Sequence, residues 1–303
     1  MTAAAQANDL AQVLSLLDEM RKRDLSPTSR TFNIAIAASA KTADWKNALL
    51  LFRQMEELSI ERDTITYASA INACAAGGEI EKAMTLFHYM GVAGVARNSV
   101  TFGVAMSGCI RNGDWEQALE LFDQMEEEGV ERDIVCFNTA ISACEKGREG
   151  QRALSLFDEM QQLGLRPTSV TYGSVIAACE KSAQWQKAVE LLSSMRRNGV
   201  KPNTIAYSSA ISACGAAGQW QQALALFDAM EGYGIERNTY TFNAAIQACE
   251  RGGEWREATK LFERMKQCDV PHDTITYNAL IRACEKGGEY QLAYDFMKQM
   301  QID

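Results

Sequence analysis

The sequence is poor in several things that would otherwise suggest a function. It has four prolines and two histidines in 303 residues, with 47% hydrophobic and 23% charged residues, which is the balance of a folded chain and not of a low-complexity one. The histidines, His88 and His272, have no partner at catalytic or metal-ligating spacing. No run of 18 apolar residues occurs, so no membrane span is expected. The start, "MTAAAQANDLAQ", has neither a secretory apolar core nor an Arg-rich amphipathic leader, so the chain is expected either to stay where it is made or to lack its leader here. There is no basic excess: the net charge is −9, which argues against indiscriminate nucleic-acid binding but leaves room for a local basic stripe. Neither a phosphate-cradling glycine loop nor a Ser/His/Asp set is present, and no catalytic residue, metal ligand, cofactor or small-molecule substrate is expected.

What the sequence has in abundance is itself. Boundaries placed after Thr28, Asp63, Asn98, Asp133, Thr168, Asn203, Asn238 and Asp273 divide it into 35-residue repeats without insertion or deletion. Seven full repeats cover 29–273, a truncated eighth covers 274–303, and 1–28 matches the back of another, its second helix and cap. All five tryptophans (Trp45, Trp115, Trp185, Trp220, Trp255) fall at place 17 of a repeat, and nine of thirteen methionines at place 27. The domain reading is one continuous array.

Each repeat carries two helical patterns. The first opens near a Ser/Thr such as Ser169 or Thr274, read as an N-cap, and runs about thirteen residues. A turn rich in Gly, Asn or Ser follows. The second helix has an apolar stripe spaced by three and four, as in Trp115, Ala118, Leu121, Phe122 and Met125. Helix pairs stacked at a fixed period make an all-α solenoid held by neighbour contacts. Seven of nine cysteines, from Cys74 to Cys284, sit at place 11. One thiol per repeat puts successive sulfurs about 8–10 Å apart, too far for one ion, so they are read as reduced packing residues.

The first helix has two faces. Places 4, 7, 8 and 11 lie within about 100° of arc and are aromatic or small and apolar, a packing face. Places 2, 5 and 13 lie opposite. Place 2 holds Arg30, Ile65, Val100, Val135, Val170, Ile205, Tyr240 and Ile275. Place 5 holds Asn33, Ala68, Gly103, Asn138, Gly173, Ser208, Asn243 and Asn278. Place 13 is basic in six of eight repeats: Lys41, Arg111, Lys146, Lys181, Arg251 and Lys286. Glu145, Glu180, Glu250 and Glu285 stand just before basic residues and reduce the stripe's net charge. A merely solvated face has no need of aliphatics at place 2, or of mid-helix glycines that cost about 1 kcal/mol against alanine. The stripe suits a ligand with flat apolar faces, polar edges and regular negative charge, as single-stranded RNA has.

With its invariant period, its "TYNALI…ACEKGGEY…A…F…M" pattern and its terminal Asp/Asn, the sequence resembles the pentatricopeptide repeat family over essentially its whole length. The resemblance implies a right-handed superhelix that binds single-stranded RNA, one nucleotide per repeat, and it points to a mitochondrial or plastid setting for RNA processing, stabilisation or translation. It implies that places 5 and 35 read each base, that Ile65, Val100, Val135, Val170, Ile205, Tyr240 and Ile275 sandwich the bases, and that the place-13 cations lie near phosphate. The zinc signature of the family's editing deaminases, H-x-E with C-x-x-C, is absent.

The reading pairs are Asn33/Asp63, Ala68/Asn98, Gly103/Asp133, Asn138/Thr168, Gly173/Asn203, Ser208/Asn238 and Asn243/Asp273, with Asn278 unpaired. An ionised Asp only accepts hydrogen bonds and suits the ring N–H of uracil or guanine, whereas Asn can donate and suits adenine or cytosine. In the family, Asn at place 5 goes with pyrimidines and small residues with purines, which gives an expected core of 5′-UAGYAAU-3′. Two rivals remain: a protein-binding scaffold like the tetratricopeptide repeats, which the acidic charge suits, and the RNA-binding arm of a longer RNase P-like or editing enzyme with an effector domain after residue 303. The capping preference of Asp, Asn and Thr also offers a purely structural reading of place 35.

Overall fold

The computed structural model describes residues 10–23 and 25–302. Residues 1–9, on which the reading of the chain start rests, lie outside them. The described residues form seventeen helices and no strand. They fall into two compact units, Met1–Gly147 and Arg148–Asp303. The first holds α1 (Leu10–Lys22), α2 (Ser29–Lys41), α3 (Trp45–Glu57), α4 (Thr64–Ala76), α5 (Ile80–Val92), α6 (Ser99–Asn112), α7 (Trp115–Glu127) and α8 (Ile134–Gly147). The second holds α9 (Gly150–Gln162), α10 (Ser169–Lys181), α11 (Trp185–Arg197), α12 (Thr204–Ala216), α13 (Trp220–Gly232), α14 (Thr239–Gly252), α15 (Trp255–Gln267), α16 (Thr274–Lys286) and α17 (Tyr290–Ile302). The unit boundary lies between the two helices of one repeat.

Within each unit the first helices of successive repeats pack on one another, while each second helix is wedged between the first helices of its own and the following repeat. That is the two-layered α-solenoid expected from the period. The wedge is aromatic. Phe52 meets Tyr67 at 5.1 Å, Phe87 meets Phe102 at 4.9 Å and Phe122 meets Phe137 at 5.0 Å, each edge to face and each across a repeat boundary. Phe227 and Phe242 in the second unit do the same at 4.9 Å. Such pairs contribute about 0.5–1.5 kcal/mol beyond area burial, and they join every repeat only to its neighbours.

The turns explain the glycine pattern. Place 15 is left-handed in both units, with Gly78 and Gly113 at φ 79° and 87° and Gly218 and Gly253 at 73° and 75°. Ala43 and Ala183 hold the same conformation at 55° and 59° without glycine's freedom. One place earlier, Gly77, Gly147, Gly252 and Gly287 lie so close to Trp45, Trp115, Trp220 and Trp255 that a Cβ would have no room. The tryptophans are therefore half-buried pegs against the next repeat's turn and not core residues.

The packing face of the first helix is as read from its places. Phe32, Ala35 and Ile36 are fully buried in α2, and Tyr172, Val175, Ile176 and Cys179 in α10. All seven place-11 cysteines are buried and none of them forms a disulfide. Burial pushes the Cys74, Cys109, Cys179, Cys214 and Cys284 thiols up to about 11 and Cys249 to about 12, so they stay protonated.

Candidate nucleic-acid interface

The helix starts lie one residue before the expected place. Ser169 and Thr274 are the first helical residues, and the caps are the residues before them. Every last-place residue from Asp63 on has one side-chain oxygen that accepts the backbone N–H three residues later. The bonds are Asp63–Thr66 at 2.8 Å, Asn98–Thr101 at 3.0 Å, Asp133–Cys136 at 2.9 Å, Thr168–Thr171 at 3.3 Å, Asn203–Ala206 at 2.9 Å, Asn238–Thr241 at 3.0 Å and Asp273–Thr276 at 2.9 Å. A backbone N–H can only donate, so each Asn must give Oδ1 to the cap, which leaves its Nδ2 to donate elsewhere. Each Asp likewise caps with Oδ1, while Asp63 Oδ2 faces Asn33 Nδ2 at 3.4 Å. For the Asp and Asn residues capping and base reading are thus not alternatives, whereas Thr168 has a single hydroxyl and uses it for the cap.

The structure brings places 5 and 35 together directly in two repeats. Asn33 Nδ2 donates to Asp63 Oδ1 at 3.1 Å, and Asn243 Nδ2 to Asp273 Oδ1 at 3.1 Å. Burial alone would raise the Asp63 carboxyl, but hydrogen bonds from the Thr66 amide and from Asn33 outweigh it and hold it below the usual carboxylate range. Asp273 is lowered by the same balance of burial against Thr276 and Asn243, and Asp133 by burial against Cys136 and Ser99. All three are acceptor-only carboxylates at neutral pH.

In the other pairs that lie within one unit, the fifth place reaches no last-place partner among the described residues. Ser208 turns its hydroxyl back to the Thr204 carbonyl at 2.7 Å and leaves Asn238 alone. Gly103 has nothing within 4 Å of a Cβ position and Gly173 only Ile205 at 3.9 Å, so packing does not require glycine at either position. Asn138 belongs to the first unit and Thr168 to the second. Asn278 is exposed, and no last-place residue follows it in the sequence.

The place-2 side chains are the most regular exposed apolar feature. Ile65, Val100, Val135, Val170, Ile205, Tyr240 and Ile275 are 53–65% exposed, one per repeat, against the burial that aliphatics ordinarily seek. Arg30 interrupts the series and is exposed. In the first unit an open cleft of about 380 Å³ shows how the places combine: Ile65 and Val100 line it with Ala68, Asn98, Ala40 and Lys41. The cleft therefore contains two successive place-2 residues, one complete reading pair and a place-13 cation.

The place-13 cations Lys41, Arg111, Lys146, Lys181, Arg251 and Lys286 are all exposed at the C-terminal ends of first helices. Arg111 Nε donates to the Ser107 carbonyl at 3.4 Å. Lys286 is committed further: its Nζ lies 2.9 Å from Glu250 Oε1 and 3.1 Å from the Glu250 carbonyl of the preceding repeat. The acidic residues that precede the stripe thus bind part of it.

Reasoning from the sequence passed over place 3. It is Thr in six of eight repeats, and Thr66, Thr101, Thr171, Thr241 and Thr276 are completely buried. A hydroxyl recurring on a packing face was the available signal.

A sequence model of the pentacotripeptide-repeat region of PRORP matches residues 135–302, and pentatricopeptide repeat models match 1–41, 30–60, 62–111 and 97–144. The chain belongs to the pentatricopeptide repeat family. Among solved structures this repeat array is similar to the pentatricopeptide repeat protein PPR10 from maize, at 21% identity and a TM-score of 0.48 over 95% of this chain and 51% of that one. It is similar to PPR10 in complex with an 18-nt psaJ RNA element at 22% identity and a TM-score of 0.46, over 98% and 52%. The PPR domain of Arabidopsis thaliana protein-only RNase P 1, in complex with tRNA, matches at 16% identity and a TM-score of 0.51, over 59% of this chain and 95% of that one. That last likeness supports the α-solenoid fold. The chain spans about half the length of the PPR10 chains it matches. No curated protein sequence matches it significantly.

Proposed function

We propose that this repeat array binds single-stranded RNA sequence-selectively, one nucleotide per repeat, with a core site of 5′-UAGYAAU-3′, and acts by occupying an organellar transcript. The observation that carries the reading is the divided use of the last-place Asp and Asn side chains. One oxygen caps a helix, and the remaining donor or acceptor stands beside place 5 between exposed place-2 aliphatics. A nucleobase offers the flat faces and polar edge that such a cleft fits. The repeats from 29 to 273 are taken as one array that reads in register, N-terminus with the 5′ end. The variation of places 5 and 35 beside a constant place-2 row supports base reading over a protein-binding scaffold, which the acidic charge suits.

Because the stripe is sparse and partly paired with glutamate, random RNA and duplexes should bind weakly. Fluorescence anisotropy at about 150 mM salt with the matched strand, a scrambled strand, duplex RNA and duplex DNA tests the proposal. Selective binding of the matched strand supports it, and equal affinity for duplex DNA rejects it. The match to the PRORP repeat region favours one second reading, the RNA-binding arm of a longer tRNA-processing enzyme. Preference for a folded precursor tRNA over the matched single strand would favour that reading.

A further inference from the structure

Two buried threonines make a contact that helix capping does not require. Thr66 Oγ1 lies 2.6 Å from Asn33 Oδ1, thirty-three residues away in the preceding repeat. In the other unit Thr276 Oγ1 lies 2.6 Å from Asn243 Oδ1, also thirty-three residues away. Both threonines are fully buried. A hydroxyl has one proton, and the cap oxygen of the Asp is a second acceptor within reach, at 2.8 Å for Asp63 and 3.0 Å for Asp273. That oxygen already takes the threonine N–H and the Asn Nδ2, whereas the amide Oδ1 has no other donor. Two oxygens 2.6 Å apart without a proton between them would repel, so the proton goes to the amide oxygen. Where place 5 is not Asn, the same hydroxyl turns elsewhere: Thr101 to the Asn98 carbonyl at 2.8 Å and Thr241 to Asn238 Oδ1 at 2.8 Å.

We propose that Thr66 and Thr276 are specificity-determining positioning residues, because by holding the fifth-place amide oxygen each leaves its Asn only an N–H to offer a base, beside the carboxylate acceptor of Asp63 or Asp273. A donor next to an acceptor complements the carbonyl and ring N–H of uracil. It opposes cytosine, whose ring nitrogen accepts and whose exocyclic amine donates. With the hydroxyl removed, the amide oxygen is released, can accept the cytosine amine, and the pair loses part of its choice between the two pyrimidines. The inference rests on the base-reading function proposed above.

Thr66→Val removes the hydroxyl at nearly constant shape, and Thr66→Ser keeps it. Affinities would be measured for 5′-UAGUAAU-3′ and for strands with cytosine at the first or the seventh base. The expected result is a fall of about five- to tenfold in the uracil-over-cytosine ratio at the first base for Thr66→Val, the scale of one base-edge contact. Thr66→Ser restores the ratio, and the seventh-base ratio does not move. Thr276→Val should do the reverse, which covers the case of either variant folding poorly. Unchanged ratios in both valine variants, or equal weakening for uracil and cytosine, overturns the inference while leaving base reading in place. A wild-type protein indifferent to uracil and cytosine at both positions overturns the base reading and the inference together.

Discussion

Asn243 donates from Nδ2 to Oδ1 of Asp273 at 3.1 Å, so the fifth residue of one first helix is tied to the cap of the next. Asn33 and Asp63 repeat the bond in the other unit at the same 3.1 Å. A reading pair is therefore also a joint between repeats, and it has an acid dependence that can be measured.

Asp63 and Asp273 have lowered carboxyls in the folded chain. Their contribution to stability is fully present above the unfolded carboxylate value of about 3.9, and it is lost as pH falls through the lower folded value. Urea denaturation between about pH 5 and about pH 2 should show Asp273→Asn losing less stability on acidification than wild type. A variant that tracks wild type throughout would show that the carboxylate is not engaged.

At the sixth base, Asn238 holds Thr241 with Oδ1 and has no protein acceptor for Nδ2. Asn238→Asp keeps the cap and exchanges the free donor for an acceptor. Preference should move from adenine toward guanine by about 1–3 kcal/mol while the melting temperature stays nearly constant. Selection from a random RNA pool with both proteins reads the base, and a thermal melt reads the cap.

Two mid-helix glycines should respond to alanine with opposite signs. Gly103 has open space where a Cβ would go, so Gly103→Ala should stabilise by about 0.5–1 kcal/mol through helix propensity. At Gly215 a Cβ would come 2.8 Å from the Ala248 Cβ and 3.1 Å from its Cα, so Gly215→Ala should destabilise by about 1–3 kcal/mol. Urea midpoints decide it, and a destabilised Gly103→Ala would mean that packing had chosen that glycine after all.

The period of 35 made the helix pairs and the packing face legible in the sequence alone, because a face repeated eight times averages out local accident. The exposed place-2 row was legible for the same reason. The caps were misplaced by one residue, because Ser and Thr at place 1 are good caps in isolation and only the backbone shows that Asp, Asn or Thr before them has taken the role. The Thr66–Asn33 bond was not legible, since it joins residues thirty-three apart whose side chains meet only once the repeats are stacked. The tryptophans stand in the apolar stripe of the second helices by spacing, yet the structure leaves each of them only half-buried.

Ala183 holds φ 59° where other repeats place glycine. An L-residue there is strained, so Ala183→Gly should stabilise by about 1 kcal/mol. The gain is net of glycine's larger unfolded entropy, and differential scanning calorimetry would see it as a small rise in melting temperature. No rise would mean that the turn's hydrogen bonds already offset the strain.

Because the last residue of each repeat caps the helix of the next, the unit of meaning and the unit of folding are offset by one residue. A graft made at the helix start keeps each reading pair whole and puts a foreign cap on its neighbour. A splice inside the second helix, between Trp115 and Glu127 for example, keeps Asp133 with the helix it begins but parts it from Gly103, the other half of its reading pair. Exchange of whole repeats by recombination should therefore leave breakpoints just after the last place, where the spelling stays whole and the incoming Asp, Asn or Thr supplies the cap.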